Sequence, residues 1–192
     1  MNQAHKPEDK FVTLDSVKTR YWEIGERGPR IVLIHGIGGF AENWRFNIEN
    51  LAGHFKVYAV DLVGFGKSGK PKAPYTYDYF ARFIKEFIDV MEIDKAVLIG
   101  HSLGGGIAMR FALMFPGRVE KLVLVDSAGL GKEISKIFKL ISLPGFGELV
   151  TRPDRTRTLK MYKNLVYDRS LLSEEMVDIG FSFSSSPGAQ QA

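Results

Sequence analysis

Ala96-Val97-Leu98-Ile99-Gly100-His101-Ser102-Leu103-Gly104-Gly105-Gly106-Ile107-Ala108-Met109 is the stretch that decides how the rest of this chain reads. Ala96 to Ile99 is a short apolar run, the length of a strand buried on both faces. Leu103 to Phe115 has the length and composition of a helix, and Pro116-Gly117 stops it. Between them lies Gly-x-Ser-x-Gly, so the chain must turn from strand to helix within a few residues. Such a turn strains the serine backbone and leaves no room for side chains two positions away, where Gly100 and Gly104 stand. Ser102 is thereby placed at a helix N-terminus, where free amides and the helix dipole favour a developing negative charge. It is the candidate nucleophile. The plainer alternative is a glycine-rich turn whose serine only caps the helix.

Upstream, Arg30-Ile31-Val32-Leu33-Ile34-His35 reads as a second buried strand, and it ends in His35-Gly36-Ile37-Gly38-Gly39. Beside a serine nucleophile, a loop in this place supplies one backbone amide of an oxyanion hole, and the residue after the serine supplies the other. That assigns Ile37 and Leu103, through their amides, with Gly38 as the alternative to Ile37. His35 belongs to the strand end and reads as structural, and the His101 side chain should point away from the hydroxyl. The same loop supports a rival reading. Gly36-Ile37-Gly38-Gly39-Phe40-Ala41 satisfies G-x-G-x-x-G/A after a strand, and Asp61 follows twenty residues beyond Ala41, where a dinucleotide fold keeps its ribose-binding acid. It leaves Gly100–Gly104 unexplained. Gly66-Lys67-Ser68 mimics the end of a P-loop, but the required first glycine falls on Asp61.

The remaining pattern is strand and helix in alternation. Phe11–Leu14 and Lys18–Ile24 form a hairpin about Asp15-Ser16, Glu42–Leu51 has helical spacing, and Phe55–Val60 is a strand. In Tyr77–Met91 the residues Phe80, Phe83, Ile84, Phe87, Ile88 and Met91 make one broad apolar helix face. Lys121–Val125 is the sixth strand. The expected fold class is α/β, a mostly parallel sheet flanked by helices. After Gly129 strand runs cease and helical patterns take over, first at Ile134, Ile137, Phe138 and Ile141, then at Leu159, Tyr162, Leu165 and Val166. Ser173 before Glu174 and Glu175 reads as an N-cap, and Ser186-Pro187 as the start of one more helix. Two regions follow, 1–129 as the α/β core and 130–192 as a helical region.

Composition bounds the function classes. Hydrophobic residues make up 45% and charged residues 25% of the 192, ordinary for a globular protein. No run is long enough for a membrane span, and the polar N-terminus has no signal core, so a cytoplasmic location is the expectation. With no cysteine, disulfides, thiolate metal sites and cysteine nucleophiles are excluded, and neither a metal nor a cofactor is expected. Residues 131–170 hold nine Lys/Arg against four Asp/Glu within a net charge of +4. That reads as a solvated basic helix face or a surface for anionic ligands. Nothing in it resembles a nucleic-acid surface.

Taken in order, His35-Gly36, Asp61-Leu62-Val63-Gly64-Phe65-Gly66-Lys67-Ser68, Gly100-His101-Ser102-Leu103-Gly104-Gly105 and Val125-Asp126-Ser127-Ala128 resemble the α/β-hydrolase family, nearest its bacterial esterases and carbon–carbon bond hydrolases. The resemblance covers about Phe11 to Gly129, and the remainder resembles the start of that family's helical cap. It implies an eight-stranded sheet with the cap after the sixth strand, and a nucleophile, acid, histidine order with the last two beyond the cap. Serine at 102 argues against the branches that use aspartate there, the haloalkane dehalogenases and epoxide hydrolases. The four histidines are His5, His35, His54 and His101, none of them after Ser102. Asp126 matches a place where some members carry their acid. Loss of one triad member costs on the order of 10⁴ to 10⁶ in rate. The expectation is therefore a core truncated after its sixth strand, from a serine hydrolase acting on a carboxylic ester or a related acyl or C–C substrate, inactive or weakly active as given. A non-catalytic interaction module, self-associating through the bare sixth-strand edge, is the alternative, and a dinucleotide-binding protein the third.

Overall fold

The computed structural model describes residues 7–131 and 152–191. Six strands form one sheet: β1 (Lys10–Leu14), β2 (Val17–Ile24), β3 (Arg30–Ile34), β4 (Lys56–Val60), β5 (Ala96–His101) and β6 (Val119–Val125), in the spatial order β1-β2-β4-β3-β5-β6. β1 and β2 pair antiparallel about Asp15 and Ser16, which both take positive φ (41° and 69°), the geometry of a two-residue hairpin turn whose twist matches its strands. β2 is also antiparallel to β4, and β3, β4, β5 and β6 are mutually parallel. This is the mostly parallel α/β sheet that the alternation of patterns predicts.

Three helices flank it, α1 (Ile48–Ala52), α2 (Tyr77–Val90) and α3 (Leu103–Met114). Because strand side chains alternate, each central strand feeds two cores. Val32, Ile34, Tyr58, Val60 and Leu98 meet the apolar face of α2 (Phe80, Phe83, Ile84, Phe87 and Ile88) and, from α3, Ile107, Ala108 and Phe111. Ile31, Leu33, Val57, Ala59 and Val97 point the other way, to Trp22, Trp44 and Ile48. Each fully buried large apolar side chain contributes roughly 1.5–3 kcal/mol, which explains why α2, with six buried positions, is the most legible helix. Met91, expected on that face, is only half-buried past its end. Thr76 caps α2 by accepting the Tyr79 amide at 3.2 Å.

The continuous helix expected over Glu42–Leu51 is broken. Ala41–Trp44 is a single 3₁₀ turn, and α1 begins only at Ile48. The Glu42 side chain is drawn inward to Arg20 and the Asn43 side chain turns back onto the Phe40 amide, so the turn tightens to i→i+3 bonding.

Of the second region, α4 (Arg155–Leu165) and α5 (Glu174–Ser184) are described. Asp154 and Ser173 cap them through the Arg157 and Met176 amides, as expected for Ser173. The helix read at Ile134–Ile141 lies outside the described residues. Beyond α5 the expected N-cap role of Ser186 is not what forms. Its hydroxyl donates back to the Phe183 carbonyl at 2.6 Å, and only a 3₁₀ turn, Ala189–Gln191, follows. Part of the basic character of this region is paired, since Arg155 bridges Asp178 and Glu174 at 2.6 Å each. Among the described residues no helix is long and apolar enough to cross a membrane, and no group of three or more His, Cys, Asp or Glu is placed to hold a metal ion.

Candidate active site at the β5–α3 turn

Ser102 sits between β5 and α3 at φ 51°, ψ −117°, left-handed backbone that a serine adopts only under strain. Several bonds impose it. The Ser102 amide donates to Val125 of β6 at 3.0 Å, and its carbonyl accepts the amides of Gly105 at 3.0 Å and Ala128 at 2.9 Å. The turn is therefore locked to the C-terminal end of β6. Backbone crowding is extreme: a Cβ on Gly104 would meet the carbonyl oxygens of Ile34 and His35, and one on Gly100 would lie 2.6 Å from the Gly105 Cα. Both glycines are required by close approach, as the motif predicts. The amide of Leu103, at the first position of α3, has no i−4 carbonyl within the helix.

The loop after β3 lies against this turn. A Cβ on Gly36 would come 3.1 Å from the Ser102 Cβ and 3.1 Å from His101 Nδ1. Gly36–Gly39 is a β-turn closed by the Gly39 amide on the Gly36 carbonyl at 3.0 Å, with Gly38 at φ 65° in its third position. That bond leaves the amides of both Ile37 and Gly38 outside it, so the two remain alternatives for one donor. The Ile37 side chain is 55% exposed above the loop.

His35 is fully buried, and both ring nitrogens are committed. Nε2 accepts the Leu62 amide at 3.0 Å, so Nδ1 carries the proton toward the Gly36 carbonyl at 2.7 Å. Burial above all, with His101 nearby, holds its pKa down to about 4. It is a structural histidine that bolts the loop to the end of β4, with no nitrogen left for proton transfer.

Asp61 takes up the other end of the loop. It is fully buried, and its carboxylate accepts the amides of Ala41 at 2.7 Å and Lys67 at 2.8 Å and faces the Arg20 guanidinium at 3.2 Å. A carboxylate so consumed has nothing to offer a ribose, which removes the acid on which the dinucleotide reading rests. Arg20, also fully buried, forks onto Glu42 through two bonds of 2.8 Å and reaches Asp9, which in turn holds Trp22 Nε1 and Lys67. Sequence reasoning passes over Arg20 and Glu42. The legible signal lay in the glycines at 64 and 66, which mark a loop folding tightly around Asp61.

Asp126 follows β6 at φ 46° and is exposed. Among the described residues neither a histidine nor a loop amide binds its carboxylate. Ser127 and Ala128 anchor that loop instead, Ser127 packing on Gly105 and Ala128 binding the Ser102 carbonyl. A cleft of about 580 Å³ lies between α5 and the core, lined by Glu42, Lys67, Glu175, Asp178, Ile179, Ser182 and Phe183. It does not include Ser102. It borders the loop where the Phe183 ring meets Phe40 edge-on at 4.9 Å.

Residues 29–177 match the family model described as alpha/beta hydrolase fold. The chain belongs to the α/β-hydrolase fold family. It is 34% identical over 188 residues, covering 96% of this chain and 62% of the relative, to 2-hydroxy-6-oxo-6-(2'-aminophenyl)hexa-2,4-dienoic acid hydrolase of Metapseudomonas resinovorans. It is 34% identical over 170 residues, 88% of this chain and 43% of the relative, to the dihydrolipoyllysine-residue acetyltransferase component of the acetoin cleaving system of Cupriavidus necator. Among solved structures it is similar to the meta-cleavage product hydrolase CumD of Pseudomonas fluorescens IP01, with a TM-score of 0.79 and 31% identity, covering 95% of this chain and 66% of that one. The chain spans between 37% and 65% of the length of these and other curated relatives.

Proposed function

We propose that this chain carries the nucleophile and oxyanion hole of a serine hydrolase. Ser102 attacks the carbonyl of a carboxylic ester or a related acyl or C–C substrate, forming an acyl-serine intermediate. The carrying observation is Ser102 itself, a non-glycine residue held at φ 51° at the head of α3 with the β3 loop packed on its Cβ. The amides of Leu103 and of Ile37, or Gly38 in its place, stabilise the oxyanion. The substrate is a small molecule, and α4 and α5 belong to a cap over the core, the division into 1–129 and 130–192 being supported, among the described residues, by the change from strands to helices. The relatives that act on C–C bonds favour an acyl group attached to a conjugated or aromatic body.

None of the four histidines in this sequence follows Ser102, where the family's order of nucleophile, acid and histidine would place the base. His35 is consumed by its two backbone partners, and Asp126, just after β6, is the candidate acid within these residues. The 192 residues alone should therefore turn over p-nitrophenyl acetate slowly, and added imidazole should raise that rate by supplying a base. With Ser102→Ala the imidazole-dependent increment above the solution reaction should vanish; an undiminished increment refutes the nucleophile.

A second reading, an interaction module, rests on β6. Leu122, Val123 and Val125 are 37–42% exposed on a strand at the edge of the sheet, an arrangement that templates pairing with another chain. A discrete dimer on size-exclusion chromatography, together with absence of any Ser102-dependent chemistry, would favour it.

A further inference from the structure

Loop 35–42 is fastened at both ends by buried polar groups, and the two fastenings differ in kind. At its start, His35 is a neutral ring bonded to the Leu62 amide. At its far end the fastening is ionic. Asp61 Oδ1 holds the Ala41 amide, while Oδ2 takes the Lys67 amide and one arm of Arg20. The neighbouring loop residue, Glu42, takes the fork of the same guanidinium. Arg20, Glu42 and Asp61 are all at least nine-tenths buried. The next loop is shaped around the same carboxylate, because Gly66, at φ 52°, places its hydrogen where a Cβ would collide with Asp61.

We propose that Asp61 is a positioning residue for the oxyanion donor. By clamping the Ala41 amide and the Arg20–Glu42 pair, it holds loop 35–42 in the one arrangement that presents the Ile37 or Gly38 amide to Ser102. The inference rests on the reading of Ser102 as nucleophile. An oxyanion donor lowers the barrier only if it is aimed before charge develops, since a loop that must reorganise spends its stabilisation on ordering. Three donors converge on the two Asp61 oxygens, so an aspartate is required. Asparagine has the same shape, but one of its two terminal atoms is itself a donor and would face another donor. Lys70 adds positive charge nearby, and burial, which with the neighbouring Glu42 charge raises the Asp61 pKa, is opposed by Arg20 and the two amides.

The test is amide hydrogen exchange of the full 192-residue chain, followed by peptide mass spectrometry, in Asp61→Asn and in Glu42→Gln. Glu42→Gln keeps one acceptor for the fork and is the safer variant for folding. The expected result is exchange at least about tenfold faster in the peptide covering 36–42, with protection of Val32 in β3 and Leu98 in β5 unchanged. A parallel slowing of imidazole-dependent Ser102 acylation, by about tenfold at saturating ester with the half-saturating concentration unchanged, is also expected. That is smaller than the 10²–10³ typical of deleting a donor outright. Unchanged exchange in the loop, or an equal rise across the whole sheet, overturns the proposal. If wild-type Ser102 never acylates, the nucleophile reading fails by itself while the exchange result still decides whether Asp61 holds the loop.

Discussion

Two residues beside Ser102 show how burial sets local chemistry. His35 titrates at about 4 because its imidazole is enclosed, whereas the same ring in an unfolded chain titrates near 6.5. Above pH 6.5 it is neutral in both states and adds no pH dependence. As pH falls from 6.5 toward 4, the unfolded chain takes up the proton first, and stability declines by about 3 kcal/mol. Asp61, whose pKa burial raises, works in the opposite direction in acid, but it is common to both proteins when wild type is compared with His35→Gln. Urea unfolding at pH 7 and pH 4.5 should therefore show a larger loss of stability in the wild type than in His35→Gln. Gly104 is limited by space. A Cβ there meets the backbone carbonyls of Ile34, the last residue of β3, and of His35 just after it, and neither can swing aside. Gly104→Ala should lose roughly 1–3 kcal/mol by urea unfolding, the usual cost of overpacking, and should loosen the contact between the β3 loop and the β5–α3 turn, the elbow that carries Ser102.

At the scale of elements, legibility followed the length and regularity of the apolar pattern. α2 was readable because Phe80, Phe83, Ile84, Phe87 and Ile88 are all core residues. Phe87, fully buried against Tyr21 of β2 and Tyr58 of β4, should cost about 3–5 kcal/mol on Phe87→Ala, measured by urea unfolding. The β5–α3 turn was readable because its glycines are dictated by backbone contacts that any such turn makes. The stretch from Ala41 to Ala52 was not. Its helical spacing of Trp44, Ile48 and Leu51 is real, but a buried ion pair between Glu42 and Arg20, residues 22 apart in the chain, decides the local geometry. Periodicity carries no information about such a partner. Asp61 shows the same limit from the other side. Its position suited a ribose-binding acid, and only the convergence of Ala41, Lys67 and Arg20 on one carboxylate reveals a loop anchor.

For the whole molecule, the sheet divides into a well-covered half around β3, β4 and β5 and a flank at β6 that is partly exposed among the described residues. Val123 and Val125 share the face of Ile99 through the β5–β6 register, and Leu113 of α3 is 76% exposed. Apolar side chains in that setting, beside a strand edge that pairs with no other strand among the described residues, favour association. Sedimentation velocity should show concentration-dependent assembly of the 192-residue chain, and Val123→Lys should suppress it without lowering the stability of the β3–β5 core. Assembly that persists unchanged in Val123→Lys would place the contact elsewhere. Family membership was readable from four short motifs in order, yet the substrate was not, because those motifs build the elbow and its loop rather than the surface that a substrate body would touch.

Under the proposed function, the hydroxyl oxygen of Ser102, strained at the β5–α3 turn and faced by the β3 loop, takes the acyl group. The most direct measurement is peptide mapping by mass spectrometry after brief exposure of the 192-residue chain to p-nitrophenyl acetate with imidazole present. A single dominant acetyl adduct is expected, on the Ser102 peptide and absent in Ser102→Ala. Acetylation spread over surface lysines, with Ser102 unmodified, would contradict it.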